Sequence, residues 1–396
     1  MWADALAWVA GLLSGLLAVP AVVLLLQVVA ARRADRPAAA ADTGTRPSLA
    51  VLVPAHNEAI GIEATLVALK AQLQPGDRLL VVADNCSDDT AERAEAAGAE
   101  VTRRSHAQLR GKGFALAWGL DHLMQGQACK VLVIMDADCQ PATGALARLA
   151  RRCVATQGPV QALYLMHAPE GAGLAQRMSA FAWRVKNRVR PRGAARLGWP
   201  CQLMGTGMAF PWGLLRAADL ANGDLVEDMK LGLDLAWQGR PPCFEEAARV
   251  DSEFPSADRA ARTQRTRWEH GHLSMILQQV PGMVWGALRR RDGRLLAMAL
   301  DLAIPPLALL LALLLVMLGL GLAPGLWAGL WWPAALAGGA VAATGLAMVL
   351  AWQGWARDLI ALSELLLAPW YVLRKLPIYL WFVIRRQTTW VRTDRQ

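Results

Sequence analysis

The chain has 396 residues, 55% of them apolar and 18% charged, a balance that excludes an ordinary soluble enzyme and leaves room for two or three domains. A formal net charge of +9 would fit a nucleic-acid partner, but much of the excess lies beside apolar runs, so no nucleic acid is expected and anionic membrane lipid is. The six cysteines, Cys86, Cys129, Cys139, Cys153, Cys201 and Cys243, show no CxxC spacing, so free thiols are expected.

Residues 5–31 carry no charge, enough to cross a bilayer, and Arg32, Arg33 and Arg36 follow at once. This predicts a first membrane helix over 1–35 with a cytoplasmic exit. A cleaved secretory signal fits less well, because MWADAL lacks a positive n-region and the apolar run is too long. A linker rich in Ala and Pro, 36–47, then gives way to a different period. Strands are predicted over 48–54, 78–83, 99–103 and 130–135. Helices are predicted over 58–73, up to 97 with Ser87 or Asp88 as cap, and over 113–123. The alternation predicts an α/β domain with a mostly parallel central sheet, helices on both faces and ligands at the carboxyl ends of the strands.

That rule gathers 54–58, 84–89 and 136–138 at one edge. The last strand runs into Asp136-Ala137-Asp138 and is stopped by Pro141. Extended chain points both carboxylates the same way, toward one divalent cation and the phosphates it carries; an acidic surface turn has the same sequence. Arg110-Gly111-Lys112-Gly113 opens a helix and brings cation and amide donors to the same crevice. Val226-Glu227-Asp228 begins a helix ending near Gly239, where the helix dipole alone also favours acids. On a helix from about 258, Gln264, Arg267 and Trp268 share a face. There an arginine can grip a diphosphate and an indole can carry a sugar ring, although Trp268 could equally stack in the structure. Glu269-His270-Gly271-His272 lacks metal-ligand spacing, so zinc is not expected.

Two further stretches look interfacial. The basic helix over 177–192 interleaves Phe181 and Trp183 with arginines, as either a solvated face or a contact for membrane or an anionic acceptor, and 272–294 reads as an interface helix ending in arginines. No charge occurs over 302–356. Pro324-Gly325 divides that run into predicted spans of about 295–322 and 326–352, within a membrane segment of 295–356, with Trp327, Trp331 and Trp332 at the turn. Arg289, Arg290, Arg291 and Arg294 before the pair and Arg357 after it put both outer ends in the cytoplasm. The remainder, 357–396, is expected to be an amphipathic or re-entrant segment and a basic cytoplasmic tail.

The series VPAHNE (53–58), DNCSDDT (84–90), DADCQP (136–141), GTGMAFPW (205–212), VED (226–228) and QRTRW (264–268) resembles the family 2 glycosyltransferases. More narrowly it resembles their membrane-integrated branch, which includes cellulose, hyaluronan and chitin synthases and exopolysaccharide enzymes. The resemblance covers about 48–271. It implies a GT-A type nucleotide-sugar-binding domain, a divalent cation (Mn2+ or Mg2+) and inverting transfer from a UDP-sugar. Residue by residue, it makes Asp138 the metal ligand, with Asp136 at the metal and ribose. Pro54, Glu58 and Asp84 hold the nucleotide, and Lys112 the uracil or phosphate. Asp228 becomes the base with Glu227 its neighbour, and Gln264, Arg267 and Trp268 the diphosphate and acceptor contacts. Gly205, Thr206 and Gly207 would bring backbone close to the acceptor sugar.

The expectation is a multi-pass enzyme of the bacterial inner membrane with its catalytic domain in the cytoplasm. It would transfer glucose or N-acetylglucosamine in β-linkage onto a lipid-linked saccharide in exopolysaccharide biosynthesis, with polysaccharide export machinery as a natural partner. QRTRW also resembles the motif of processive synthases, but three spans are few to enclose a polymer channel. Direct transfer to polyprenyl phosphate is a third reading. A membrane scaffold with an inactive domain is opposed by the presence of Asp84, Asp136, Asp138, Asp228 and Arg267.

Overall fold

The computed structural model describes residues 2–34, 45–221, 226–255 and 258–384; most of the expected linker and the basic tail lie outside them. The elements are α1 (Trp2–Ala31), β1 (Leu49–Ala55), α2 (Ile62–Lys70), β2 (Arg78–Asp84), α3 (Thr90–Ala96), β3 (Glu100–Arg104), α4 (Lys112–Met124), β4 (Val131–Ile134), β5 (Gln140–Pro141), α5 (Ala145–Thr156) and β6 (Val160–His167). Next come α6 (Leu174–Arg184), a π-helical turn at Val185–Val189, α7 (Arg190–Arg196), β7 (Met208–Pro211), α8 (Glu227–Trp237), β8 (Cys243–Glu253), α9 (Asp258–Arg290), α10 (Gly293–Leu302), α11 (Leu307–Ala328), α12 (Trp332–Trp355), α13 (Leu362–Leu365) and α14 (Ala368–Ile384). They form two compact units. Ala34–Pro169 and Pro200–Arg267 make the sheet unit; Met1–Arg33, Glu170–Trp199 and Trp268–Gln387 make the helical one.

The sheet unit holds eight strands in the order β3-β2-β1-β4-β7-β6-β8-β5. Parallel pairing joins β3, β2, β1 and β4, and also β6 and β8, whereas β7 runs antiparallel to both its neighbours and β5 to β8. LAVLV and VLVI are apolar without alternation because both sheet faces are covered, and Leu49 to Val53 and Val131 to Ile134 are all buried. One face packs Leu52, Leu80, Val82 and Leu132 against Leu116, Leu120 and Leu123 of α4. Each fully buried leucine contributes about 2 kcal/mol. All six cysteines are free thiols.

Among the described residues of the helical unit, three helices are long and apolar enough to cross a membrane, α1, α11 and α12. Packing between α1 and α12 is close: a Cβ at Gly11 would stand 1.9 Å from the Trp332 ring, and Ala21, Leu24 and Val28 share a buried cluster with Ala340, Ala347 and Ala351. Outward, Trp8, Leu12, Leu16 and Leu26 are exposed, as a lipid-facing stripe requires. At the far end of α1 the Gln27 amide donates to Asp301 (2.8 Å), which also accepts from Arg190 (2.9 Å), all three buried. Beside them Gly193 of α7 lies so close to the Gln27 carbonyl that a Cβ there would stand 1.9 Å from the oxygen.

Two expectations are corrected in this unit. The helix continues through Pro324-Gly325, and the chain turns at Gly329, whose φ of +70° closes α11. Pro305 and Pro306 instead divide the first predicted span into α10 and α11, with Pro306 at the N-cap. The basic helix is also no bare charged face. Arg177 pairs with Glu364 (2.5 Å), Arg184 with Asp358 (2.7 Å) and Arg190 with Asp301.

Candidate active site

The first two loops at the carboxyl ends of the parallel strands are stapled together. Asn57 donates to the Ser87 hydroxyl (3.0 Å) and accepts from the Ser87 amide (2.7 Å), while Asp88 accepts from the amides of Ala59 (3.3 Å) and Thr90 (3.1 Å). The N-cap of α3 is Asp89 rather than the expected Ser87 or Asp88, and Asp88 instead holds the turn before it through these amides. Pro54 lies opposite Val82, one pair before the β1 ladder ends, and the Glu58 amide donates to the Thr90 hydroxyl (2.9 Å). Asp84 is buried under these loops. Its Oδ1 accepts from Arg104 (2.5 Å) and Asn85 (3.1 Å), and its carbonyl meets His56 Nδ1 (2.6 Å). Arg104 in turn lies over the Phe114 ring and donates to the Leu109 carbonyl.

The second group of residues surrounds Gly205. Lys112, at the start of α4, pairs with Asp136 and donates to the Gly205 carbonyl (2.6 Å). Gly205 has a φ of +89°, and a Cβ there would stand 3.3 Å from Asp228 Oδ2, 3.5 Å from Lys112 Nζ and 3.9 Å from Asp136 Oδ2. Only glycine suits both the backbone and the space. The Thr206 hydroxyl accepts from the Asp136 amide (2.9 Å) and so fixes the strand end. Gly207 serves the sheet, since its Cβ position faces Ala162 and Val250 at 2.8 and 2.9 Å. Asp136, Glu227, Asp228 and Lys112 are thus brought together, with Gln264 buried and Arg267 within electrostatic reach.

Charges in this group are mutually dependent. Burial, then the adjacent Asp228, push the Glu227 carboxyl up to about 7 against the pull of Lys112. Burial also works against the Lys112 ammonium, but Asp136, Glu227 and Asp228 outweigh it and hold the amine above the usual lysine range. Arg267 is lowered by burial and opposed by the same three acids, and its Nε has no hydrogen-bond partner. An unsatisfied guanidinium edge facing carboxylates is poised for an anion that arrives with its own cation.

Asp136, Asp138 and Cys139 present donor atoms within 4.8 Å of one another. Burial pushes the Cys139 thiol up to about 12, and Mg2+ and Mn2+ favour oxygen over sulfur donors. Two carboxylates remain, the oxygen donors that Mg2+ or Mn2+ prefers when phosphate oxygens complete its shell, and the residues fit such an ion. Trp268 belongs to the helical unit, where its indole packs on that of Trp183 with centroids 5.0 Å apart. His270 and His272 meet the carbonyls of Ile378 (3.0 Å) and Leu302 (3.2 Å), and Glu269 pairs with Lys375 (2.5 Å).

Sequence reasoning did not single out Arg104, His56 or Cys139. Arg104 ends a parallel strand, so the strand-end rule could have found it.

The model of the "Glycosyltransferase like family 2" matches residues 47–271, more than half of the chain. No curated protein sequence matches. Among solved structures, the chain is similar to the mannosyltransferase PcManGT from Pyrobaculum calidifontis, in complex with GDP-Man and Mn2+, at 20% identity and a TM-score of 0.53, over 96% of this chain and 99% of that one. It is also similar to glucosyl-3-phosphoglycerate synthase from Mycobacterium tuberculosis, in complex with Mn2+, UDP and phosphoglyceric acid, at 19% identity and a TM-score of 0.36, over 57% of this chain and 78% of that one. With strand-end carboxylates, a Lys112-Gly205 contact and an acidic helix start all inside the matched residues, the chain belongs to glycosyltransferase like family 2 and carries its domain on a GT-A-like sheet.

Proposed function

We propose that the protein is an inverting glycosyltransferase that moves glucose or N-acetylglucosamine from a UDP-sugar, in β-linkage, onto a lipid-linked saccharide of the bacterial inner membrane during exopolysaccharide biosynthesis. The observation that carries this reading is the convergence of Asp136, Asp228 and Lys112 on Gly205, with Glu227 and Arg267 in electrostatic reach. Arg32 and Arg33 after α1, and the arginines before α10, support a cytoplasmic catalytic domain.

Asp138 and Asp136 are the carboxylates that would hold Mn2+ or Mg2+, which when bound supplies positive charge to the departing diphosphate. Pro54, Glu58 and Asp84 hold the uridine, with Arg104 fixing the Asp84 carboxylate. Lys112 and Arg267 stabilise the diphosphate, backed by Gln264, and an acceptor role for Trp268 rests on the QRTRW resemblance. Burial and the neighbouring Asp228 hold the Glu227 carboxyl up at about 7, so the pair carries less than its full negative charge near neutrality. Asp228 then takes the proton from the acceptor hydroxyl as its oxygen attacks C1 of the sugar, and the C1–O bond to UDP breaks on the opposite face. Gly205 leaves room for the acceptor, where any side chain would project among the reacting groups.

The test is purified full-length protein with Mn2+ or Mg2+, a panel of nucleotide sugars and membrane lipid extract, scored for nucleotide release and product length. UDP release with one sugar added per acceptor is expected. A ladder of long products would make the enzyme a processive synthase, release from a GDP-sugar alone would overturn the uridine assignment, and no release from any donor would sink the enzymatic reading.

A further inference from the structure

In the helical unit, the elbow between α9 and α10 encloses an open recess of about 650 Å³ lined by Trp199, Arg290, Arg291, Asp292 and Arg294. Its charge is one-sided. Asp292 is the only acid in the lining, and its carboxylate is committed to the start of α10, accepting from the amides of Arg294 (2.9 Å) and Leu295 (3.0 Å). Arg291 turns the chain with a φ of +55° after the end of α9, Arg294 lies in the first turn of α10, and both border one space. On α9 just before the elbow, Leu277, Trp285 and Leu288 are 61%, 70% and 61% exposed. Their spacing of eight and three residues lines them along one helix face.

We infer that this recess binds the headgroup of an anionic phospholipid, with the exposed face of α9 lying among the acyl chains. Guanidinium forks match a phosphodiester in geometry and charge, and an indole beside an apolar helix face belongs at the level of lipid headgroups. Continuity supports the same occupant, since α10 leads directly into α11, one of the three helices long enough to cross a bilayer. The inference rests on the proposed membrane reading and deepens it: the bilayer grips the enzyme through a shaped site as well as through apolar spans.

The test uses the full chain in a neutral detergent, with dihexanoyl phosphatidylglycerol and dihexanoyl phosphatidylcholine titrated and binding followed by calorimetry. Phosphatidylglycerol should bind and phosphatidylcholine should not. The double variant Arg291→Gln/Arg294→Gln should weaken binding about thirtyfold and Arg294→Gln alone about fivefold, from the usual contribution of an arginine near an anionic surface. Thermal unfolding midpoints report whether each variant folds. Should the double variant unfold, the single one decides. Equal binding of the two lipids, or undiminished binding by a folded variant, overturns the proposal. Tighter binding of farnesyl monophosphate than of phosphatidylglycerol also overturns it, by making the recess a site for an acceptor carrier. A chain that stays soluble without detergent would instead fail the membrane reading.

Discussion

Glu227 and Asp228 occupy one helical turn, and their neighbours separate what each does. Asp228→Asn is expected to reduce transfer by about a thousandfold, the scale of a lost general base, while UDP binding stays within about twofold. Loss of UDP binding in calorimetry would move Asp228 to the donor site. Glu227 titrates near 7 in the fold against an ordinary value of 4.5. Its contribution to stability is therefore fully present below about pH 4.5 and lost as pH rises through about 7. In EDTA, the wild-type melting temperature should fall across that window, and Glu227→Gln should flatten the fall and raise the midpoint at pH 8. Asp84 makes a third test. With Arg104 buried against it, Asp84→Asn removes a charge-assisted pair, and UDP affinity should drop by about tenfold to a hundredfold.

The elements follow the same close packing. Gly193 of α7 meets the Gln27 carbonyl so tightly that Gly193→Leu must part the two helices, costing about 1–3 kcal/mol in detergent melting. Gly282→Ala, inside α9 with nothing within 4 Å of the new methyl, should raise the midpoint slightly, by about 0.4–1 kcal/mol of stability. The same physics explains which elements were legible. Strands β1, β2 and β4 stood out because burial on both faces demands unbroken apolar runs, and their ends carried Asp84, Asp136 and Asp138. No pattern marked β8, whose CFEEAARVDSE leaves several acids partly exposed, or β5, a two-residue pairing with β8. The Pro324-Gly325 pair read as a turn, yet Gly325 abuts the Trp331 ring and the helix runs on to Gly329. Motif residues were legible one by one, while Arg104 depended on a partner in the neighbouring strand.

At the scale of the whole molecule, the sheet unit supplies the carboxylates and the helical unit the apolar surface. EDTA should abolish transfer and Mn2+ or Mg2+ should restore it, whereas Ca2+ should restore less because its larger shell fits two carboxylates and a diphosphate poorly. The protein should also need detergent to remain monodisperse after extraction, since Trp8, Leu12 and Leu16 present a continuous apolar stripe. The buried bond from Gln27 to Asp301 has a consequence in time. Its partners are 274 residues apart in the chain, which translation covers in about 14–55 s. Throughout that interval the first apolar helix carries an amide with no Asp301 to receive it. A nascent chain arrested before α10 would therefore display the same polar blemish in a lone apolar helix, a mark by which quality control could tell unfinished copies from finished ones.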